Sequence, residues 1–570
     1  MISRCVAGLF FSVLLSAGSF AADYYVSPSG SNGNPGTQGA PWQELQFSID
    51  NLDPGDVLHV MTGTYHEKVQ FNLSGALGMP ITVTGIGYTP VLDGTGLAIQ
   101  TAMLDISGHS YISVIGLEIC NNSMNDAQGI LVDGSCQGIV LKNNRIHDIH
   151  FSSNPNAPAN ASTNAQAIIV FGSDAAEPVS DLVITGNEVY NCRLGYSEGI
   201  AVNGNVDGFD ISDNYVHDLT NIGIVAIGHE ETCSDPLLDQ ARNGSITGNK
   251  VRRCHSPYAF CAGVYIDGAK NVNVLGNSSS ENDYGIEIGC EHPGKSAENI
   301  TVRNNLVYTN NSAGIAFGGY DYPSVSGKVT GSTVYNNTLY KNDTTYQGDG
   351  ELVLTYFENC VFENNLLFTN NQARAVTVNG NVPALAFNYN LYYTPSGIQD
   401  NLIGTSSTDY TLAEFQVAGH EVNGQFANPL FLSPTPDDAF FSMENINISS
   451  PIFDRGNGEY EPLLFETDFF GTPRIWSIRV DIGATEIQFE GLEERRLTDI
   501  RLFPNPAAGA FCVVSGTTFE TYTIVDLSGT IVDRGSANQQ EIVPAAIPAG
   551  IYIVHFSGKG QTAQARLVKM

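Results

Sequence analysis

The stretch Ile300-Thr301-Val302-Arg303-Asn304-Asn305-Leu306-Val307-Tyr308 reads as two short strands of alternating side chains on either side of an asparagine corner. The same corner returns as Asn143-Asn144, Gly186-Asn187, Asp213-Asn214, Gly248-Asn249, Gly276-Asn277, Asn336-Asn337 and Asn364-Asn365. Successive second members lie 43, 27, 35, 28, 28, 32 and 28 residues apart. A repeat of that length, built of strands rather than helices, is one coil of a solenoid. The predicted fold is therefore all-β, a right-handed parallel β-helix, with the asparagine corners forming a ladder of side-chain hydrogen bonds rather than a site.

Working outward from the repeats, the opening segment from Asp23 to about Gln100 reads as a cap with the first coils. Trp42, Leu45, Phe47 and Ile49 lie on a short amphipathic helix expected to blunt the open end of the solenoid. The regular coils are expected from about Ile81 to about Tyr393, interrupted by long insertions at His150 to Gln166 and His229 to Asn243. Insertions of that size in a solenoid project from one face and are usually functional or disordered. Phe426 to Ala484 reads as an irregular closing segment, and the charged stretch Glu490 to Asp499 as a linker. The domain boundaries follow as 22–100, 101–489, a linker at 490–498 and a terminal module at 499–570.

Residues 1–21 have the signature of a secretory signal peptide: Arg4, an apolar run from Val6 to Leu15, and Ser19-Phe20-Ala21 at the cleavage site. No later segment offers the roughly 18 uninterrupted apolar residues that span a bilayer, so no membrane helix is expected. With 59 acidic against 25 basic residues, the net charge is −34. Such a field disfavours nucleic acid and anionic membranes as partners, and repels an anionic glycan unless a cation or a basic cleft intervenes. A monomer is the expected state. Nine cysteines remain after the signal peptide, and one or two disulfides are expected, with Cys254–Cys261 and Cys120–Cys136 as guesses. Cys360 and Cys512 read as small core residues.

The last seventy residues carry Phe503-Pro504-Asn505-Pro506, Ile524-Val525-Asp526-Leu527-Ser528-Gly529, Ile547-Pro548-Ala549-Gly550-Ile551-Tyr552-Ile553-Val554 and Arg566-Leu567-Val568-Lys569. These are short strands separated by turns, a small β-sandwich. In that order they resemble the carboxy-terminal sorting domain of the type IX secretion system, which implies passage through the outer membrane by that machinery to the cell surface or the medium. Residues Asp23 to Gly483, through their repeats and the quoted end segments, resemble the secreted right-handed β-helix proteins that include polysaccharide lyases and glycoside hydrolases. That resemblance implies a polysaccharide substrate, but solenoids also serve as adhesins, so the site is argued locally.

Five apolar strands, Ile200-Ala201-Val202, Val225-Ala226-Ile227, Val264-Tyr265-Ile266, Ile286-Glu287-Ile288 and Ile315-Ala316-Phe317, are expected to stack in register. Their outward column is then Ala201, Ala226, Tyr265, Glu287 and Ala316, and the column beyond each strand brings Asn203, Gly228, Asp267, Gly289 and Gly318. Glu230, Glu231, Glu291, His292, Lys270, His229 and Lys295 gather at the same edge, beside the second insertion. Carboxylates stacked about 4.8 Å apart, or two coils apart, suit retaining or inverting glycosidases, and Asp267, Glu287 and Glu291 supply either arrangement. A lyase needs a base beside a uronate carboxyl and a positive charge to hold the enolate. Tyr265, His229, Lys270 or Lys295 offer the base; Arg193, or calcium on Asp267, Glu287 and Glu291, offers the charge. His147, His217 and His255 read as structural turn residues, and Glu118 and Glu188 as residues of solvated faces. A calcium-assisted lyase is placed first because the resemblance is broadest there. A hydrolase using paired carboxylates fits the acid surplus better, and a non-catalytic glycan binder is the third reading.

Overall fold

The computed structural model describes residues 21–97, 102–345, 348–380, 385–432, 437–447, 449–463, 466–488 and most of 501–569. The expected signal peptide and the linker at 490–498 lie outside these residues, apart from Ala21. The chain divides into two compact units, 1–487 and 488–570.

In the first unit each coil contributes one strand to each of three long parallel sheets, and each strand pairs with its counterpart one coil on. Coiling begins earlier than the repeats suggest, because Asp23–Val26 and Val57–Met61 already pair in parallel, and it runs to Gln425–Phe426. Inward residues such as Ile200, Val202, Val264, Ile266, Ile286 and Ile288 are fully buried. Each burial contributes about 2 kcal/mol before chain entropy is subtracted.

The asparagine corners divide their labour between the two positions. The first residue adopts the left-handed backbone: Asn143 (φ 54), Gly186 (67), Asp213 (56), Gly248 (67), Gly276 (61), Asn304 (58), Asn336 (54) and Asn364 (58). Glycine, asparagine and aspartate tolerate that conformation best. The second residue is always asparagine because its side chain has a buried task. Asn214 Oδ1 accepts from the backbone N–H and Nδ2 of Asn187, both at 2.9 Å, while its own Nδ2 donates to Ile184 O and Asn249 Oδ1. The ladder continues through Asn249, Asn277, Asn305, Asn337 and Asn365 to Asn390, and ends where the Glu421 carboxylate accepts from Asn390 N, Asn390 Nδ2 and the Tyr392 hydroxyl. A second ladder, Asn282–Asn310–Asn342, ends in the same manner on Glu351. Both ladders present donors toward the C-terminal coils, so each finishes on a buried carboxylate that needs no proton to accept them.

A helix at Leu45–Ile49 buries Leu45 and Ile49 beside the first coils, as expected, whereas Trp42, expected on the same helix, precedes it and forms a parallel bridge with Val26. At the other end the helix Leu412–Val417, started by a Thr411/Glu414 capping box, places Phe415 near Phe387. The closing segment folds back along the third sheet: Phe440 and Phe441 pack with Tyr308, Tyr340 and Phe368, and Asp438 takes Lys250 Nζ at 2.6 Å.

No disulfide forms. Cys120, Cys136, Cys254 and Cys261 are all free and buried, because parallel stacking and an apolar interior use them as small core thiols. His147 and His217 lie within strands rather than turns, each bonded to the next residue, Asp148 or Asp218, at 2.6 Å. Arg145 ties Glu118 to Glu188 across coils.

The second unit holds two antiparallel sheets, one of Arg501–Phe503, Phe511–Val514 and Glu541–Ile542, the other of Ile531–Ser536, Thr521–Val525, Gly550–Gly558 and Gln561–Lys569. Phe511, Ile524, Val554, Phe556 and Leu567 fill its core.

Candidate functional site

The sheet that contains the outward column has strands Ala165–Gly172, Ile200–Gly204, Ile224–Ile227, Ala262–Asp267, Tyr284–Gly289 and Ile315–Phe317. Its register differs from the expectation in one strand. Val225, not Ala226, pairs with Tyr265, because Ile224 is the partner of Val264; Ala226 is a core residue and Ile227 takes the place assigned to Gly228. The outward column is therefore Ile169, Ala201, Val225, Tyr265, Glu287 and Ala316. A strand of four consecutive apolar residues can be slid by one without changing its pattern, so alternation alone does not set its register.

Ile169, Ala201, Val225, Ile227, Ala262 and Tyr265 form an apolar cluster on this outer face. The acids follow directly. Tyr265 lies beside Glu287 on the next coil, and Asp267 beside Gly289. The Tyr265 ring and hydroxyl lie over Gly289, at ordinary contact distance from where a Cβ would stand. Asp267 is buried and its Oδ1 accepts the backbone N–H of Glu291 at 2.7 Å, while the Tyr265 hydroxyl lies 3.4 Å from Glu291 Oε1. One coil before, Glu230 Oε2 accepts from Asn203 Nδ2 at 2.7 Å. Glu198, which precedes the strand that carries Ala201, completes the group and feels the charges of Glu230 and Glu291.

Burial and mutual repulsion raise Glu198, Asp267, Glu287 and Glu291. Glu198 and Glu287 are pushed up to about 8, by burial first and then by Glu230 and Glu291 for the former and Glu291 for the latter. Asp267 is held well above the usual carboxylate range by burial and by Glu291; Glu291 is raised by burial and by Glu230. Burial and the surrounding acids also raise the Tyr265 phenol, which stays protonated and is a donor here rather than a base.

The second insertion forms the adjoining wall. Asp239 anchors it, accepting from Glu231 N and Cys233 N, and His229 at φ 73 points its Nε2 to Ser296 O at 3.3 Å. Burial, Lys295 and His292 depress the His229 imidazolium.

Thus Tyr265, Asp267, Glu287 and Glu291 come together with His229 at their edge, whereas Lys270 and Arg193 do not join them. Gly268, at φ 68, turns the chain out of the sheet, so Lys270 starts a strand of the next sheet, between Arg242 and Glu298. Arg193 lies at the opposite corner of the coil, its Nη2 donating to the carbonyls of Ser152 and Asn154 and its guanidinium 4.6 Å over Phe151. It lines a cavity of about 450 Å³ with His150 and Thr220. The expected calcium set also changes. The side-chain ligand atoms lying within 4.8 Å of one another belong to Glu230, Asp267 and His292, a group without Glu287 or Glu291. Glu198 escaped sequence reasoning. Its signal was its place three residues before Ala201, aligned with Gln128 and Gln166 on earlier coils.

The family model for a right handed beta helix region matches residues 128–330, and that for a secretion system C-terminal sorting domain matches residues 501–570. The uncharacterized protein YwoF of Bacillus subtilis is 30% identical over 465 residues, covering 76% of this chain and 93% of YwoF. Pectate lyase PEL9 of Emericella nidulans is 36% identical over 104 residues, 18% of this chain and 24% of that protein. Among solved structures, pectate lyase Pel9A aligns with a TM-score of 0.43 and 15% identity over 82% of this chain and 97% of its own. The XylC complex with xylose aligns at 0.44 and 11% over 81% and 98%.

Proposed function

Because this chain belongs to the same family as YwoF, with a right-handed β-helix and a type IX secretion sorting domain, we propose that it is an exported glycan-cleaving enzyme that hydrolyses glycosidic bonds. The observation that carries this reading is the Asp267–Glu291 pair: the Asp267 carboxyl accepts the Glu291 backbone N–H, and both carboxyls are raised by burial and like charge. Such a pair holds a proton at neutral pH and titrates as a unit. Asp267, the deeper and more strongly raised partner, is fixed by the Glu291 N–H, keeps its proton and gives it to the departing glycosidic oxygen. Glu291, the more exposed partner, supplies the carboxylate that attacks the anomeric carbon or takes a proton from water. The C–O bond breaks, water adds its hydroxyl to the anomeric carbon and its proton restores the acid. Glu287 and Tyr265 stay protonated beside the pair and donate hydrogen bonds to sugar hydroxyls.

The test is cleavage of neutral and uronate-rich polysaccharides by the purified chain, following reducing ends and ultraviolet absorbance together. Hydrolysis raises reducing ends alone, and Asp267→Asn or Glu291→Gln lowers kcat about 10²–10⁴-fold. Full release by both variants refutes the assignment.

A second reading is favoured by the PEL9 similarity: β-elimination on a uronate glycan, with calcium held by Asp267 and Glu291 and with Glu230 beside them. Their oxygen donors and shared negative charge fit a divalent cation. The ion would supply positive charge against the uronate carboxylate, raising the acidity of the neighbouring C–H. Absorbance that rises with reducing ends and is lost to chelator selects this reading over hydrolysis.

A further inference from the structure

Glu230, Asp267 and His292 come from three different stretches of chain, yet each presents a ligand atom within 4.8 Å of the other two. His292 follows the strand Tyr284–Gly289 in the turn Glu291-His292-Pro293-Gly294, and its carbonyl is tied down by Lys295 N at 3.1 Å and by Cys290 Sγ. The imidazole itself is not satisfied: His292 Nε2 is buried and has no hydrogen-bond partner. Asp267 is buried too, with Oδ1 engaged by the Glu291 N–H. His292 presents a ligand atom beside two carboxylates and carries a buried, unpartnered ring nitrogen, whose free-energy cost a cation bound by the imidazole offsets.

We propose that Glu230, Asp267 and His292 form a seat for a divalent transition ion of the zinc type. The donor chemistry selects the class. Calcium takes six to eight oxygens and gains little from imidazole, whereas zinc accepts nitrogen with carboxylate oxygen at low coordination number. The only other such group among the described residues, Glu118, Cys120 and His147, differs in having its donors spent. His147 Nδ1 is bonded to Asp148 at 2.6 Å and Nε2 to Glu118 at 3.3 Å, and the Cys120 thiol is pushed up to about 12 by burial.

The site does not depend on the hydrolase reading, but its consequence does: an ion on Asp267 removes that carboxylate from the Asp267–Glu291 pair, so zinc inhibits hydrolysis. The experiment is calorimetric titration of the full chain with zinc chloride, with and without a hundredfold excess of calcium. One ion should bind at micromolar concentration, calcium should not displace it, and His292→Ala and Glu230→Gln should each weaken binding at least tenfold while His147→Ala does not. Thermal unfolding with and without zinc gives a second readout: the zinc-induced rise in Tm should vanish in His292→Ala, whose Tm without zinc stays near that of the parent. Absence of binding, displacement by calcium, or undiminished binding by His292→Ala overturns the proposal. Zinc binding that leaves glycan cleavage unimpaired keeps the seat and refutes instead the role of Asp267 in hydrolysis.

Discussion

Replacing Asn214 by alanine tests whether the ladder, rather than the turn, made asparagine obligatory at the second corner position. The side chain is buried and makes four hydrogen bonds, two accepted from Asn187 and one donated each to Ile184 O and Asn249 Oδ1. Alanine leaves the Asn187 backbone N–H without its buried acceptor and removes one partner from Asn187 Nδ2, Ile184 O and Asn249 Oδ1. An orphaned buried donor costs about 1–3 kcal/mol and each net hydrogen bond about 1 kcal/mol, so the variant should lose about 4 kcal/mol. The adjacent Asp213 is exposed and left-handed at φ 56. Asp213→Gly should therefore be neutral within about 0.5 kcal/mol, since glycine prefers that conformation. Guanidinium unfolding of the full chain and both variants, followed by circular dichroism, measures the contrast through the midpoint at constant slope. The reasoning is refuted if Asn214→Ala costs less than 1 kcal/mol, or no more than Asp213→Gly.

The raised carboxyls fix a sign for pH dependence. Glu287, whose folded value is about 8 against an ordinary 4.5, binds its proton more tightly when folded, so its effect on stability turns unfavourable as pH rises from about 4.5 to about 8. Glu287→Gln should raise Tm by a few degrees at pH 8 and by much less at pH 5; equal shifts in calorimetry at both pH values would contradict the burial of this charge. Phe260 is exposed and lies 5.7 Å from the Tyr284 ring, which feels the Glu287 charge, so it offers a stacking face beside the acids. Phe260→Ala should raise KM on long glycans about tenfold with kcat unchanged; a fall in kcat alone would place Phe260 elsewhere in the reaction. Since every described cysteine is a free thiol, dithiothreitol should leave Tm unmoved, and a drop of several degrees would reveal a disulfide.

Much of the solenoid was legible because its physics is local. A left-handed corner, a buried amide one residue on and alternating strands recur in sequence at the spacing of the coils. The ladder's last rung, Asn390, was hidden because Tyr389, at φ 58, occupies a position held elsewhere by glycine, asparagine or aspartate. The terminal acceptors Glu421 and Glu351 carry no repeat signature, since a ladder ends only once.

The carboxylate group was only half legible. Alternation identified Tyr265, Glu287 and Asp267 as outward neighbours, because in a parallel solenoid residues one coil apart stack whatever fills the loops between them. It could not tell that Lys270 leaves the sheet at Gly268, that Arg193 turns to the opposite corner, or that an all-apolar strand slides by one to put Val225 beside Tyr265. Sequence by itself determined the coil, its corners and the sorting module, each written in contiguous residues with a fixed period or order. Tertiary structure alone decided which acids share a field, which of them keep a proton, and that His292 is held with an unpaired nitrogen: burial and charge coupling depend on distances across coils and on loops that no period encodes.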